Sequence, residues 1–312
     1  MYVVTSPLLA RPGAVPADPP DAGVAAHYGD PFREQRLLAD GVAAADLSHR
    51  PVLRVSGPDR LPWLHSLTTQ QLEHLAPGVA TEALVLSPHG HVEHELALVD
   101  DGETTWAHVE PGSAEALVRY LDSMRFWSKV EVEDVSRTYA LVLRPGAVEG
   151  APSRVTPIGV ESFVHRPELA EVLGEEVAGV WAVEALRIAA GRPRLGLETD
   201  HRTIPHELGW VETAVHLDKG CYRGQETVAR VQNLGKPPRR LVLLHLDGSE
   251  SVLPPHGAVV SLDDRQVGFV TSSARHYELG PIALALVKRS TPVDAALVAG
   301  GVAAAQEVVV PA

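Results

Sequence analysis

The sequence predicts an α+β protein that ends in a small C-terminal β-barrel. Between residues 52 and 143 the pattern runs strand, helix, three strands, helix, two strands, which packs helices against an antiparallel sheet. Past Pro237-Pro238 the helical spacing stops, and short Val/Leu runs alternate with Gly, Pro and Asp turns, as in a small barrel or sandwich. At 312 residues and 45% apolar content the chain is long enough for two or three domains with their own cores.

Residues 1–30 hold Pro12, Pro16, Pro19 and Pro20 among Ala and Gly, and read as an irregular N-terminal arm. Pro31 suits the first position of a short helix over 31–40. A strand over 52–56 turns at Gly57-Pro58, and Asp59 caps a helix carrying Leu61, Trp63, Leu64 and Leu67. Strands follow over 83–86 and 91–99, joined by Ser87-Pro88-His89-Gly90. Asp100-Asp101-Gly102 is a hairpin signal before a strand over 104–109. Leu117, Val118, Leu121 and Met124 give a helical face over 115–125, and strands follow over 130–135 and 139–143. Residues 145–157 are loop-like and mark a domain boundary. Helices are expected over 167–173 and 180–190, then strands over 241–246, 259–262, 266–271 and 282–287. The expected domains are 31–145, 146–236 and 237–312.

A net charge of −13 argues against general affinity for nucleic acid or anionic membrane. A single cysteine excludes an internal disulfide and a self-contained four-cysteine iron–sulfur site. No apolar run approaches the roughly 18 residues of a membrane span, and residues 1–10 lack a basic region and apolar core, so a cytoplasmic protein is expected. Phosphate loop, dinucleotide glycine fingerprint and GxSxG elbow are all missing. The run His89-Gly-His91-Val-Glu93-His94-Glu95 is rich in metal-ligating side chains. On a strand, however, they divide between two faces, so a polar pocket lining is expected rather than a metal site.

The chemistry concentrates in Lys219-Gly220-Cys221-Tyr222-Arg223-Gly224-Gln225-Glu226. It carries the only cysteine and one of four lysines. Two glycines flank the thiol, and an unbroken helical run follows Gly224, which puts Cys221 just before a helix N-terminus. Lys219 and Arg223 add positive charge, so Cys221 is expected as a thiolate with a pKa below the usual value of about 8.5. From Lys219 to Arg240 there are six cations and one acid, a local basic strip suited to an anionic ligand.

This motif, with Val228-Ala229-Arg230 after it, resembles the signature of the YgfZ-type proteins. These are folate-binding relatives of the glycine-cleavage T-protein implicated in iron–sulfur protein assembly or repair. Three further stretches agree: Asp46-Leu47-Ser48-His49-Arg50 through Thr68, Leu186-Arg187-Ile188-Ala189-Ala190-Gly191, and Gln266-Val267-Gly268-Phe269. The resemblance covers roughly residues 40–290. It implies a three-part, ring-like architecture with the C-terminal barrel, tetrahydrofolate as ligand, and iron–sulfur client or assembly proteins, including enzymes that modify transfer RNA, as partners.

The resemblance further implies Cys221 and Lys219 as the reactive pair. It implies Tyr222, Arg223, Gln225, Glu226, Arg230, Arg187, His94 and Glu95 around the folate, with arginines on its glutamate tail. Two departures matter. T-proteins carry a paired Asp-Asp where His94 and Glu95 stand here, and a histidine offers no fixed anion. An accessory role is therefore expected ahead of aminomethyl transfer, with a folate-dependent aminomethyl- or methyltransferase and a non-catalytic binding module as the alternatives. Relatives also carry a glutamate for the pterin's amino edge where this chain has Ala189, which leaves Glu184 or Glu207 to supply a carboxylate.

Overall fold

The computed structural model describes residues 4–249 and 252–311. The first three residues of the expected arm and Ala312 at the end of the barrel segment lie outside them. The chain divides into two compact units, each assembled from separate stretches. The first takes residues up to 85, 94–183 and 218–222; the second takes 86–93, 184–217 and 223 onwards. The parting therefore does not fall near residue 145.

The first unit is built on two five-stranded sheets. One has the order Ala80–Leu86, Val92–Asp100, Thr104–His108, Val52–Ser56, Glu131–Asp134. Side chains alternate across each strand. Leu53, Val55, Ala83, Val85, Leu96, Leu98 and Ala107 thus share one face, where they meet Trp63, Leu64, Leu67, Leu117 and Leu121 of the helices Arg60–Leu67 and Ala114–Ser123. The other sheet has the order Ser153–Thr156, Gly159–His165, Tyr139–Arg144, Ala44–Asp46, Val177–Ala178. Its outer face packs Ala140, Val142 and Val164 on Leu169 and Leu173 of the helix Leu169–Leu173. The inner faces of the two sheets meet: Trp106 lies 4.7 Å from Tyr139 and 6.0 Å from Phe163, ring centre to ring centre. The layers are helix, sheet, sheet, helix.

The stretch expected to be an irregular arm is structured and packed. Pro7–Ala10 forms a 3-10 turn capped by Ser6, and Val15–Pro16 pairs with Ala25–His27. Leu8, Val24, Ala25 and Ala26 are buried. The loop expected over 145–157 likewise ends in a strand, because Ser153–Thr156 pairs in register with Gly159–Ser162.

The second unit holds the closed barrel, in the order Arg239–Leu246, Gly280–Lys288, Arg265–His276, Val259–Leu262, Leu297–Ala299, Val302–Val308. Val242, Leu244, Val260, Val270, Ala283, Ala285, Val287, Leu297 and Ala304 fill it. The four expected strands are present, and the last two of the barrel carry no sequence signal strong enough to announce them. The helix Gln225–Leu234 also belongs to this unit, and Gly224 precedes it at φ +83°.

Candidate functional site

Two side-chain assemblies of the first unit carry chemistry. The first lies at one end of the contact between the sheets. Glu82, Glu95, Trp106 and His108 project from the inner face of one sheet, opposite to Leu96, Leu98 and Ala107. From the other sheet come Arg154 and Glu161. Glu161 accepts from Arg154, and its Oε2 lies 3.0 Å from His108 Nε2. Arg154 Nη2 stands 3.5 Å from Glu82 and Arg50 Nη1 3.5 Å from Glu110. All except Glu95 and Arg50 are buried.

These groups ionise differently because their surroundings differ. Burial alone would raise the Glu161 carboxyl, but His108 and Arg154 more than offset it and hold it well below the usual range. Burial lowers His108. Glu95 goes the other way: burial first, then Glu82 and Glu110, push it up to about 8 against Arg50 and Arg154. It keeps part of its surface open while deeply surrounded. A carboxylic acid that stays protonated at neutral pH and remains reachable can both donate and accept a proton. His94, grouped with Glu95 by the sequence, lies on the opposite face of the strand by simple alternation. The pair is split, and Glu95 alone belongs to this cluster.

The second assembly is an arch over residues 219–222. Lys219 and Tyr222 are buried at its feet, while Gly220 and Cys221 are exposed between them. Lys219 Nζ donates to the carbonyl oxygens of His65, Thr68 at 2.6 Å and Gln70 at 3.0 Å, and lies 5.2 Å from the centre of the Tyr222 ring. Burial pushes this ammonium down to about 8 and the Tyr222 hydroxyl up to about 12. The lysine expected to act on the thiol is thus committed to backbone oxygens.

In the second unit, Arg223 pairs with Glu93 at 3.1 Å. The turn at Ser87–Gly90 is locked against the start of the helix Gln225–Leu234. A Cβ at Gly224 would fall 2.6 Å from the Ser87 carbonyl oxygen, and one at Gly90 would fall 2.6 Å from Thr227 Cβ. Gln225 is half-buried, and Glu226 and Arg230 are exposed.

Arg187 does not match its expected role. Nε and Nη2 donate to Glu184, Nη1 to the Arg192 carbonyl and Glu198, and Nη2 also to Ser272 at 2.7 Å. A guanidinium has five N–H groups, and these contacts use every nitrogen, so none is left for a glutamate tail. Glu184 is bound by Arg187 and Arg194, and Glu207 by Arg239. Neither is a free acceptor for a pterin edge, and Ala189 supplies none. Here the second unit does not fit the folate contacts expected of it; in the first unit, Glu95 offers a carboxyl of suitable chemistry. Among the described residues no three His, Cys, Asp or Glu side chains gather to hold a metal ion. No helix among them is long and apolar enough to cross a membrane.

Mixed α/β layers and a closed six-stranded C-terminal barrel define the class: the chain has the glycine-cleavage T-protein fold. It superposes on the crystal structure of glycine cleavage system aminomethyltransferase T from Bartonella henselae with a TM-score of 0.80, over 96% of this chain and 94% of that one, at 19% identity. Residues 239–311 match the glycine cleavage T-protein C-terminal barrel domain. Among curated proteins it is 27% identical over 78% of its length to the Arabidopsis thaliana protein named "Putative transferase At1g60990, chloroplastic", of which it spans 66%. It is 25% identical to the aminomethyltransferase of Herpetosiphon aurantiacus over 91% of this chain and 90% of that protein. It is 28% identical to that of Geobacillus kaustophilus over 78% of each. The likeness to the curated relatives runs along most of the chain, and the match to the glycine cleavage T-protein C-terminal barrel domain is confined to the barrel.

Proposed function

We propose that this protein is a folate-dependent one-carbon transferase of the T-protein type, in which Glu95 handles the proton. The position of Glu95 carries this reading: a reachable carboxyl, deep between two sheets, kept protonated at neutral pH by burial and by Glu82 and Glu110. Tetrahydrofolate supplies the nitrogen that accepts or releases the one-carbon unit. Glu95 holds a proton ready for a leaving or departing amine, and in either charge state can meet a pterin's polar edge. Glu82 and Glu110 raise its affinity for that proton, and Arg154 with Glu161 fixes the surrounding side chains. Similarity to proteins named aminomethyltransferase supports the reaction class.

Calorimetric titration of the full chain with tetrahydrofolate tests it, alongside turnover of an aminomethylated carrier protein. Binding together with turnover that Glu95→Gln abolishes is the expected result. No heat at high micromolar ligand ends the folate assignment.

A second reading is favoured by Cys221, which is exposed at the top of its arch. Here the protein is a YgfZ-type accessory factor for iron–sulfur proteins, using Cys221 as a reactive thiolate or as one ligand to a cluster completed by a partner. Replacing Cys221 by Ser separates the two. The accessory reading requires the cellular function of iron–sulfur clients to fail, while the transferase reading leaves folate turnover intact.

A further inference from the structure

The arch over residues 219–222 has a construction that its sequence does not reveal. Both feet are buried and both crown residues are exposed. The foot at Lys219 stands on the C-terminal end of the helix Arg60–Leu67, where backbone carbonyls lack helical partners. The chain past Leu67 folds so that the carbonyls of residues 65, 68 and 70 converge on one point. An ammonium has three donors and no acceptor. Three converging oxygens match it one for one, and the negative end of the helix dipole adds to the attraction. Thr68 and Thr69 are fully buried, so the cradle sits in packed protein. Tyr222 closes the arch from the other side, its ring 5.2 Å from the same nitrogen.

We propose that Lys219 is a positioning residue: its ammonium pins the arch to the carbonyl cradle and sets where Cys221 stands, acting through two backbone links and not through its charge on the sulfur. The cradle is selective. A planar guanidinium fork cannot send three donors to three oxygens converging on one atom, so arginine keeps the charge but loses the fit. This deepens the second reading of the function, because it concerns the loop that carries Cys221. It is tested on the loop's own chemistry, so either can fail without the other.

The experiment uses the full chain and three variants, Lys219→Met, Lys219→Arg and Lys219→Gln. Two readouts are taken: amide hydrogen exchange, and alkylation of Cys221, the sole cysteine, by iodoacetamide as a function of pH. Positioning predicts that the rate of Cys221 alkylation changes by about tenfold or more in all three variants, the equivalent of losing a charge-assisted hydrogen bond, while amide exchange across the first unit stays as in the wild type. It also predicts that the pH midpoint of alkylation stays where it is in the wild-type chain, while the plateau rate changes. Arginine behaving like the wild type, or a midpoint that climbs in Met and Gln but not Arg, identifies charge as the active property and overturns the proposal. Exchange that quickens throughout the first unit shows that Lys219 holds the fold rather than the loop, and overturns it equally.

Discussion

Glu82 and Glu95 project from neighbouring strands onto the same face of one sheet, and the charge of the first makes ionising the second harder. Two nearby arginines do not cancel the effect, because Arg154 is already bound to Glu161 and Arg50 to Glu110. What results is one neutral acid among committed charges. That is the arrangement by which a protein keeps a carboxyl protonated near neutral pH.

Glu95 should therefore give the protein a distinctive pH dependence. Its carboxyl titrates at about 8 when folded and near its ordinary value when unfolded. Between those values the folded state binds more protons, so stability falls as pH rises through that window. The slope is at most about 1.4 kcal/mol per pH unit. Below the ordinary carboxylate range the contribution is flat. Glu95→Gln removes the slope, which urea denaturation at pH 5 and pH 8 measures directly. Transfer activity that depends on the protonated form drops as pH rises through about 8. An unchanged slope in the variant assigns the titration to another group.

Arg187 provides a second check. It is buried, with Glu184, Glu198 and Ser272 holding its donors. Removing one partner of a buried charge network costs on the order of 3–5 kcal/mol, so Arg187→Met should lower the urea midpoint sharply. Tetrahydrofolate affinity of the folded variant, read by calorimetry, stays within a few-fold of the wild type. A variant of normal stability that no longer binds folate returns Arg187 to the ligand.

The strong local signals reported truly. Asp100-Asp101-Gly102 turns between the strands Val92–Asp100 and Thr104–His108, and the Val/Leu strands after Pro238 close a barrel. The strand Val302–Val308 was silent because three of its seven residues are alanine, a poor strand former, and its inward Ala304 is legible only once the barrel is closed. Ser153–Thr156 hid between Pro152 and Pro157. The acid cluster could not be read at all: Glu82, Glu95, His108 and Glu161 meet only through sheet pairing, and nothing local marks them as neighbours. The motif around Cys221 was evident, yet the partner of Lys219 was not, since backbone carbonyls some 150 residues away leave no trace in side-chain chemistry.

Gly224 offers a third test, confined to the second unit. It sits at φ +83° with the Ser87 carbonyl 2.6 Å from where a Cβ would stand. Gly224→Ala meets both a left-handed backbone penalty and a clash with main chain that cannot move aside cheaply. The expected cost is about 2 kcal/mol or more, measurable as a lower urea midpoint. An alanine variant as stable as the wild type shows that the Ser87–Gly90 turn is free to shift away from the helix start.

Phe126 is strained in the opposite circumstance, at φ +44° and 79% exposed. Its side chain buries little that offsets a conformation bulky residues rarely adopt, while the loop around it is fixed: Lys129 N donates to Asp59 at 2.7 Å and Trp63 Nε1 to the Met124 carbonyl at 3.0 Å. Glycine at this position removes the left-handed penalty, at the expense of a more flexible unfolded chain. The first effect, about 1–2 kcal/mol, exceeds the second, about 0.5–1 kcal/mol, so Phe126→Gly should raise stability by about 0.5–1 kcal/mol, seen as a higher urea midpoint with an unchanged slope. Neighbouring Trp127 is 97% exposed, and Trp127→Ser should move the same midpoint by no more than about 0.5 kcal/mol. Loss of stability in the glycine variant means that the Phe126 ring contributes packing that its exposure conceals.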